Sequence, residues 1–197
     1  LLAEVYPGLR KPTDVELYDE LVRQDPENPV AHYHRGQAHL RLDQPERAVE
    51  DFSKALELGF RLPEVYAARG NTLIALGHNY WQAGKDLGAA IELEPQNPLY
   101  HVYAGNFNRA KDPKEAMREL NQAIQLGPQF TLAYTSRGQL YLDLGQLQRA
   151  IQDFDEAIRL DPQSALAYIG RGSYYLIQGE PQRAVPDFDE AIRLDPQ

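Results

Sequence analysis

The sequence predicts an all-α fold, a solenoid of stacked helix-turn-helix pairs, and three observations carry that expectation. The first is a hexad that recurs in one register: VYAARG at 65–70, AYTSRG at 133–138 and AYIGRG at 167–172, with AHYHRG at 31–36 as a variant. It spaces Gly36, Gly70, Gly138 and Gly172 by 34, 68 and 34 residues, with Gly105 one residue late in the gap. A fixed period of this length marks a repeat architecture. Second, each unit carries an alanine, a large apolar residue and a further alanine at helical offsets: Ala48, Phe52 and Ala55; Ala83, Leu87 and Ala90; Ala116, Leu120 and Ala123; Ala150, Phe154 and Ala157; Ala184, Phe188 and Ala191. Offsets of four and three lie on one face of a helix. Third, units close on Glu94-Pro95, Gly127-Pro128, Asp161-Pro162 and Asp195-Pro196. The residue before a proline is biased away from the helical region, which stops the second helix.

Taken in order, residues 1–12, with Pro7-Gly8 and Pro12, read as an extended leader. The chain begins Leu1-Leu2 with no signal-peptide series, as a piece of a longer or processed protein would. Thr13-Asp14-Val15-Glu16 is a capping-box pattern that opens a helix to about Gln24, so residues 13–28 read as a partial repeat or an N-terminal cap. Five units follow at 29–62, 63–97, 98–130, 131–164 and 165–197. The second carries an extra residue in its inner turn, Gly77 to Ala83, and the third drops one between Gly105 and Ala116. Pro186, near the start of the last helix, is expected to bend it or shorten its first turn. Small residues let the two helices of a unit approach, and the larger side chains fill the gap. One pair alone cannot bury its apolar face, so the units stack on their neighbours.

This unit, with an aromatic, a small residue four later and then Ala, Phe, Ala and Pro, resembles the tetratricopeptide repeat over residues 29–197. The departures are the late Gly105, the long turn at 77–81, and Phe60-Arg61-Leu62-Pro63 in place of an Asp-Pro ending. The resemblance implies a right-handed superhelix that acts as a protein-protein interaction scaffold, with first helices lining a concave surface that holds a peptide or helical segment of a partner. With Gly36 counted as eighth in its unit, packing positions 4, 7, 8 and 11 and a second set, 2, 5, 9 and 12, face roughly 130° apart at about 100° per residue. The resemblance makes the second set the groove. From the first two units it would draw Tyr33, Gln37, Leu40, Asn71 and Ile74. The third would give Leu99, Val102, Asn106 and Arg109, and the last two Thr135, Gln139, Leu142, Ile169 and Ser173.

Position nine, Gln37, Asn71, Asn106, Gln139 and Ser173, is the informative column. Side-chain amides donate and accept, which suits an extended backbone; the alternative is an ordinary half-exposed polar column. Position five holds no Lys, so the clamp for acidic chaperone C-termini found in part of the family is not expected here. The nearly neutral groove favours an apolar ligand over a highly charged one. Arg35, Arg69, Arg137 and Arg171 at position seven match Asp51, Asp86, Asp153 and Asp187 at position 23, and Ala104 is matched by Glu119. An arginine fork meeting a carboxylate is well suited to tie the two helices together, against the alternative of an anion-binding column.

Composition narrows the function classes. A formal charge of −9 disfavours a phosphate backbone, and no apolar run reaches the roughly 18–20 residues of a membrane span. Zero Cys removes disulfides, thiolate metal sites and a cysteine nucleophile. His32 and His101 stand at packing positions, and His32 and His39, about 10 Å apart on one helix, are too distant to share a metal. Trp81 and Tyr80 form either a local staple or an outward contact. No nucleophile, base and orienting group recur together and no phosphate loop follows a strand, so the expectation is a non-enzyme with no cofactor. The partner is a protein or peptide, with no nucleic acid and no membrane insertion. A soluble, cytoplasmic setting is the expectation, although no address is legible. Two other readings stay open: a homo-oligomeric module stacking through uncovered ends, with self-association through the C-terminal repeat, and the docking region of a larger multidomain protein.

Overall fold

The computed structural model describes residues 14–77 and 79–196; the leader, Thr13 of the capping box, His78 and Gln197 lie outside them. Eleven helices and no strand occur among the described residues, in two compact units that divide after Pro95.

The first unit holds α1 (Asp14–Gln24), α2 (Pro29–Arg41), α3 (Pro45–Glu57), α4 (Pro63–Ala75) and α5 (Tyr80–Leu93). Helices α2 and α3 form one hairpin and α4 and α5 the next, with α1 against α2 and α3 against α4. Proline opens α2, α3 and α4, where its missing N–H costs nothing. The Asn28 side chain accepts from the N–H groups of Val30 and Ala31, both at 3.1 Å, and so satisfies two donors that the first turn leaves without helical partners. The core gathers Ala48, Phe52, Ala55, Leu56 and Val65. A Cβ on Gly36 would lie 2.7 Å from Phe52 Cε1, so the ring occupies the space that the missing side chain leaves.

The second unit holds α6 (Pro98–Asn108), α7 (Pro113–Leu126), α8 (Thr131–Asp143), α9 (Leu147–Leu160), α10 (Ala165–Ile177) and α11 (Pro181–Leu194). Three hairpins stack through α7 on α8 and α9 on α10, while the first helices α6, α8 and α10 also touch in succession. Each second helix stops just short of the Gly-Pro or Asp-Pro that the sequence places there. Phe154, fully buried, packs against two glycines: a Cβ on Gly138 would come within 2.8 Å of its Cε1, and one on Gly170 of the following hairpin within 2.2 Å. Pro186 does not shorten α11, which begins at Pro181. The carbonyl that loses its helical donor belongs to Gln182, an exposed residue of the first turn.

Candidate functional site

What holds the first helices in place is the arginine column. Arg35, Arg69, Arg137 and Arg171 each fork the carboxylate on the second helix of their own hairpin through Nε and Nη2, at 2.7–2.9 Å. The third nitrogen, Nη1, reaches back to the second helix of the preceding hairpin or to α1: Arg35 to Asp19 at 3.0 Å, Arg69 to Ser53 at 3.1 Å, Arg137 to Asn121 at 2.8 Å and Arg171 to Asp155 at 2.9 Å. One side chain therefore closes a hairpin and registers it on its neighbour. Their carboxylates are buried, and the hydrogen bonds to Asp51, Asp153 and Asp187 are the main cause that raises Arg35, Arg137 and Arg171 above the ordinary arginine value. In the hairpin with Ala104, the His101 ring takes over, its Nδ1 lying 2.7 Å from Glu119 Oε2 while Arg118 donates to Oε1 at 2.8 Å.

On the face of the first helices, the residues expected to line a groove divide sharply. Val102 is fully buried in the core cluster with Leu120, Ala133 and Leu140, while Thr135 and Leu142 are 9% and 8% exposed. These three are therefore corrected to packing positions. Val102 is covered by the next first helix, through Ala133 and Leu140 of α8. Leu142 is covered by the side chains around Phe154 and Tyr174. Leu40 is exposed, and Ile74, Leu99 and Arg109 are half-buried. Arg109 Nε pairs with Asp143 Oδ2 at 3.0 Å, joining the ends of α6 and α8.

The amide column is not uniform either. Gln37 donates to the Tyr33 hydroxyl at 2.8 Å and its carbonyl oxygen faces His34 Nδ1 at 3.1 Å, so both ends are engaged. Gln139 donates to Asp143 at 3.2 Å, and the Ser173 hydroxyl donates to the Ile169 carbonyl at 2.8 Å. Asn71, exposed, and Asn106, half-buried, have no side-chain hydrogen bond among the described residues. Their amides are the ones with donor and acceptor capacity to spare. Tyr33 packs against Phe52 and Phe60; burial, and then the Glu64 charge, push its phenol above the ordinary value, partly offset by the hydrogen bond from Gln37.

Sequence reading missed two features. His39 is as buried as His32, and both converge on the Asp51 carboxylate, at 3.7 and 3.2 Å, with no metal needed to explain them. Their seven-residue spacing on one helix face was the available signal. Gly170, at a position held elsewhere by larger residues, is the second. Trp81 is 72% exposed with Lys85 Nζ 4.9 Å from the ring centroid, so it does not staple the turn. Among the described residues no group of His, Asp and Glu is placed to hold a metal ion, and no helix is long and apolar enough to cross a membrane.

Family models described as tetratricopeptide repeat match residues 29–58 and 135–197. The STIP1 homolog of Dictyostelium discoideum is 31% identical over 118 residues, covering 57% of this chain and 20% of that protein. Hsc70-interacting protein 1 of Drosophila melanogaster is 35% identical over 80 residues, 41% of this chain and 21% of the relative. The human mitochondrial import receptor subunit TOM70 is 29% identical over 172 residues, with 64% and 28% covered. The chain thus spans less than a third of the length of these relatives. Among solved structures, a tetratricopeptide repeat protein from Parabacteroides merdae ATCC 43184 matches with a TM-score of 0.83 at 24% identity, over 92% of this chain and 71% of that one. TTC0263 of Thermus thermophilus matches with a TM-score of 0.78 at 18% identity, over 86% and 92%. Both likenesses bear on the fold.

Proposed function

Because the chain belongs to the tetratricopeptide repeat family, we propose that it is a protein-protein interaction scaffold whose first-helix faces bind a peptide or helical segment of a partner. The observation that carries this reading is the pair of uncommitted amides, Asn71 and Asn106, the first one turn before the half-buried Ile74 of its own helix and the second in the last turn of α6. An amide beside apolar surface can pair a partner's main chain while neighbouring side chains are desolvated. A relative named for its interaction with Hsc70 agrees with a protein ligand. Tyr33, Ala67, Val102, Thr135 and Ile169 at position five include no Lys, which argues against an acidic C-terminal tail as that ligand. The test is selection from a random peptide library on the immobilised protein, followed by titration of an enriched peptide against Asn71→Ala and Asn106→Ala. Binding that both variants leave unchanged contradicts the reading.

Self-association through the C-terminal repeat is a second reading, favoured by Val185 and Ile192, which are 55% and 64% exposed on α11.

A further inference from the structure

Between α7 and the inner turn that joins α8 to α9 lies a cleft of about 560 Å³. Its apolar lining is Met117, Tyr141 and Leu144, and its polar lining includes Asn121, Gln146 and two cations, Lys114 and Arg149. None of these residues stands at positions 2, 5, 9 or 12, so the cleft is separate from the face of the first helices.

The same repeat positions meet again elsewhere in the chain, and there the cation is answered by carboxylates of the chain itself. One 34-residue period on, Arg183 stands for Arg149 and Tyr175 for Tyr141; Arg183 lies 4.1 Å from the Tyr175 ring centroid and pairs with Glu180, the counterpart of Gln146, at 2.7 Å. Asp155 there replaces Asn121. Three periods back, His39 and Arg47 stand for Tyr141 and Arg149, and the smaller cleft, about 250 Å³, is lined by the carboxylates of Asp19, Glu50 and Asp51. At α7 and α8 the matching positions carry amides instead, Asn121 and Gln146. Arg149 keeps its place over Tyr141, 5.7 Å from the ring centroid, and donates to Gln146 Oε1 at 2.9 Å, but neither it nor Lys114 has a carboxylate partner among the described residues. Arg118 and Arg137 are already spent, the first on Glu115 and Glu119 and the second on Asp153. In a chain of formal charge −9, two cations without counter-charge beside an apolar recess are complementary to an acidic group supplied from outside.

The cleft also continues sideways. Gln146 and Arg149 line a second recess of about 700 Å³ that reaches Gln178 of the next inner turn. Neighbouring hairpins stack at about 10 Å, the span of about three extended residues, so a trough that passes from one inner turn to the next suits a stretch of polypeptide better than a compact solute. We propose that this trough is a second peptide site, which takes an extended segment of a partner protein with a large apolar side chain against Met117, Tyr141 and Leu144 and a nearby aspartate or glutamate on Arg149 and Lys114. It does not rest on binding at the first-helix face.

The test is a random peptide library selected on the immobilised whole chain after depletion on the Lys114→Glu, Arg149→Glu double variant, which removes peptides held elsewhere. Surviving peptides are expected to carry an aromatic or aliphatic residue within two positions of Asp or Glu. An enriched peptide should bind Arg149→Glu about tenfold more weakly and Lys114→Gln about two- to fivefold more weakly. Gln146→Glu, which gives Arg149 the internal partner that Glu180 gives Arg183, should also weaken it by about two- to fivefold. Asn71→Ala and Asn106→Ala should leave this affinity unchanged. Lys114, Gln146 and Arg149 are exposed, and thermal unfolding checks that each variant remains folded. Enriched peptides without acidic residues, or an affinity that Gln146→Glu leaves unchanged, overturn the proposal. So does a selection in which every peptide found is also held by the depleting variant; loss of their affinity in Asn71→Ala or Asn106→Ala would then assign them to the first-helix face, so the two readings fail separately.

Discussion

The Arg137 guanidinium forks the Asp153 carboxylate, with Nε and Nη2 each 2.8 Å from a different oxygen, and turns Nη1 to Asn121 of the preceding hairpin. Asp153 is 6% exposed. Removing the arginine leaves a buried carboxylate without its cation, so Arg137→Ala should cost about 2–3 kcal/mol. Arg137→Lys keeps the charge but not the fork and should recover less than half of that. Urea unfolding of the three proteins measures both. An alanine variant as stable as the parent would mean that the column is not structural.

Glycine positions separate close packing from mere helix tolerance. A Cβ on Gly170 would enter the Phe154 ring space at 2.2 Å, whereas one on Gly88 meets nothing within 4 Å. Gly170→Ala should therefore destabilise by about 1–3 kcal/mol through overpacking. Gly88→Ala, in the exposed interior of α5, should stabilise by about 0.5–1 kcal/mol by removing backbone freedom from the unfolded chain. Melting temperatures that move in the same direction for the two variants would contradict this assignment.

The inner turns show a local conflict. Gly77, Gly145 and Gly179 adopt φ of 71°, 69° and 74°, and Asp43 holds the equivalent place at φ 54°. A side chain is disfavoured there, and Asp43→Gly should raise stability by about 0.5–1 kcal/mol. Unfolding at equilibrium reads this directly, and a loss of stability would show that the Asp43 side chain contributes something beyond its backbone.

Alkaline pH gives a test of Tyr33. Burial and Glu64 raise its phenol above the ordinary 10.0, so above that pH the folded state holds a proton that the unfolded state has released. The stability from this group is fully present below pH 10.0 and is lost as pH rises through the folded-state value. From about pH 9 to 11 the parent should lose unfolding free energy more steeply than Tyr33→Phe. Equal slopes would contradict the placement.

Much of this was legible in the sequence because the repeat writes the same physics several times. Gly36, Phe52 and the Ala48-Ala55 pair recur in register, so helix pairing, core and turn follow from period and proline alone. The arginine fork could be read for the same reason. Its third bond could not, because Asp19, Ser53, Asn121 and Asp155 share a position but not a residue type. The face of the first helices was less legible still. A helical wheel assigns Val102 and Asn106 to one surface, yet the next helix covers the first and leaves the second accessible, a distinction that lies in tertiary packing. Which amides are spent inside the chain depends on rotamers, as Gln37 and Gln139 show.

The direct test of binding through the free amides compares three variants against one selected peptide. Asn71→Ala, for a peptide held by the first unit, or Asn106→Ala, for one held by the second, removes a hydrogen bond worth roughly 0.5–1.5 kcal/mol, so affinity should fall about two- to twelve-fold with the melting temperature unchanged. Val102→Ala, inside the core, should lower stability by about 2 kcal/mol and leave affinity near that of the parent at a temperature where it is folded. Calorimetric titration alongside thermal unfolding gives both numbers for each protein. The account is contradicted if the two asparagine variants bind as the parent does, or if they lose stability instead of affinity.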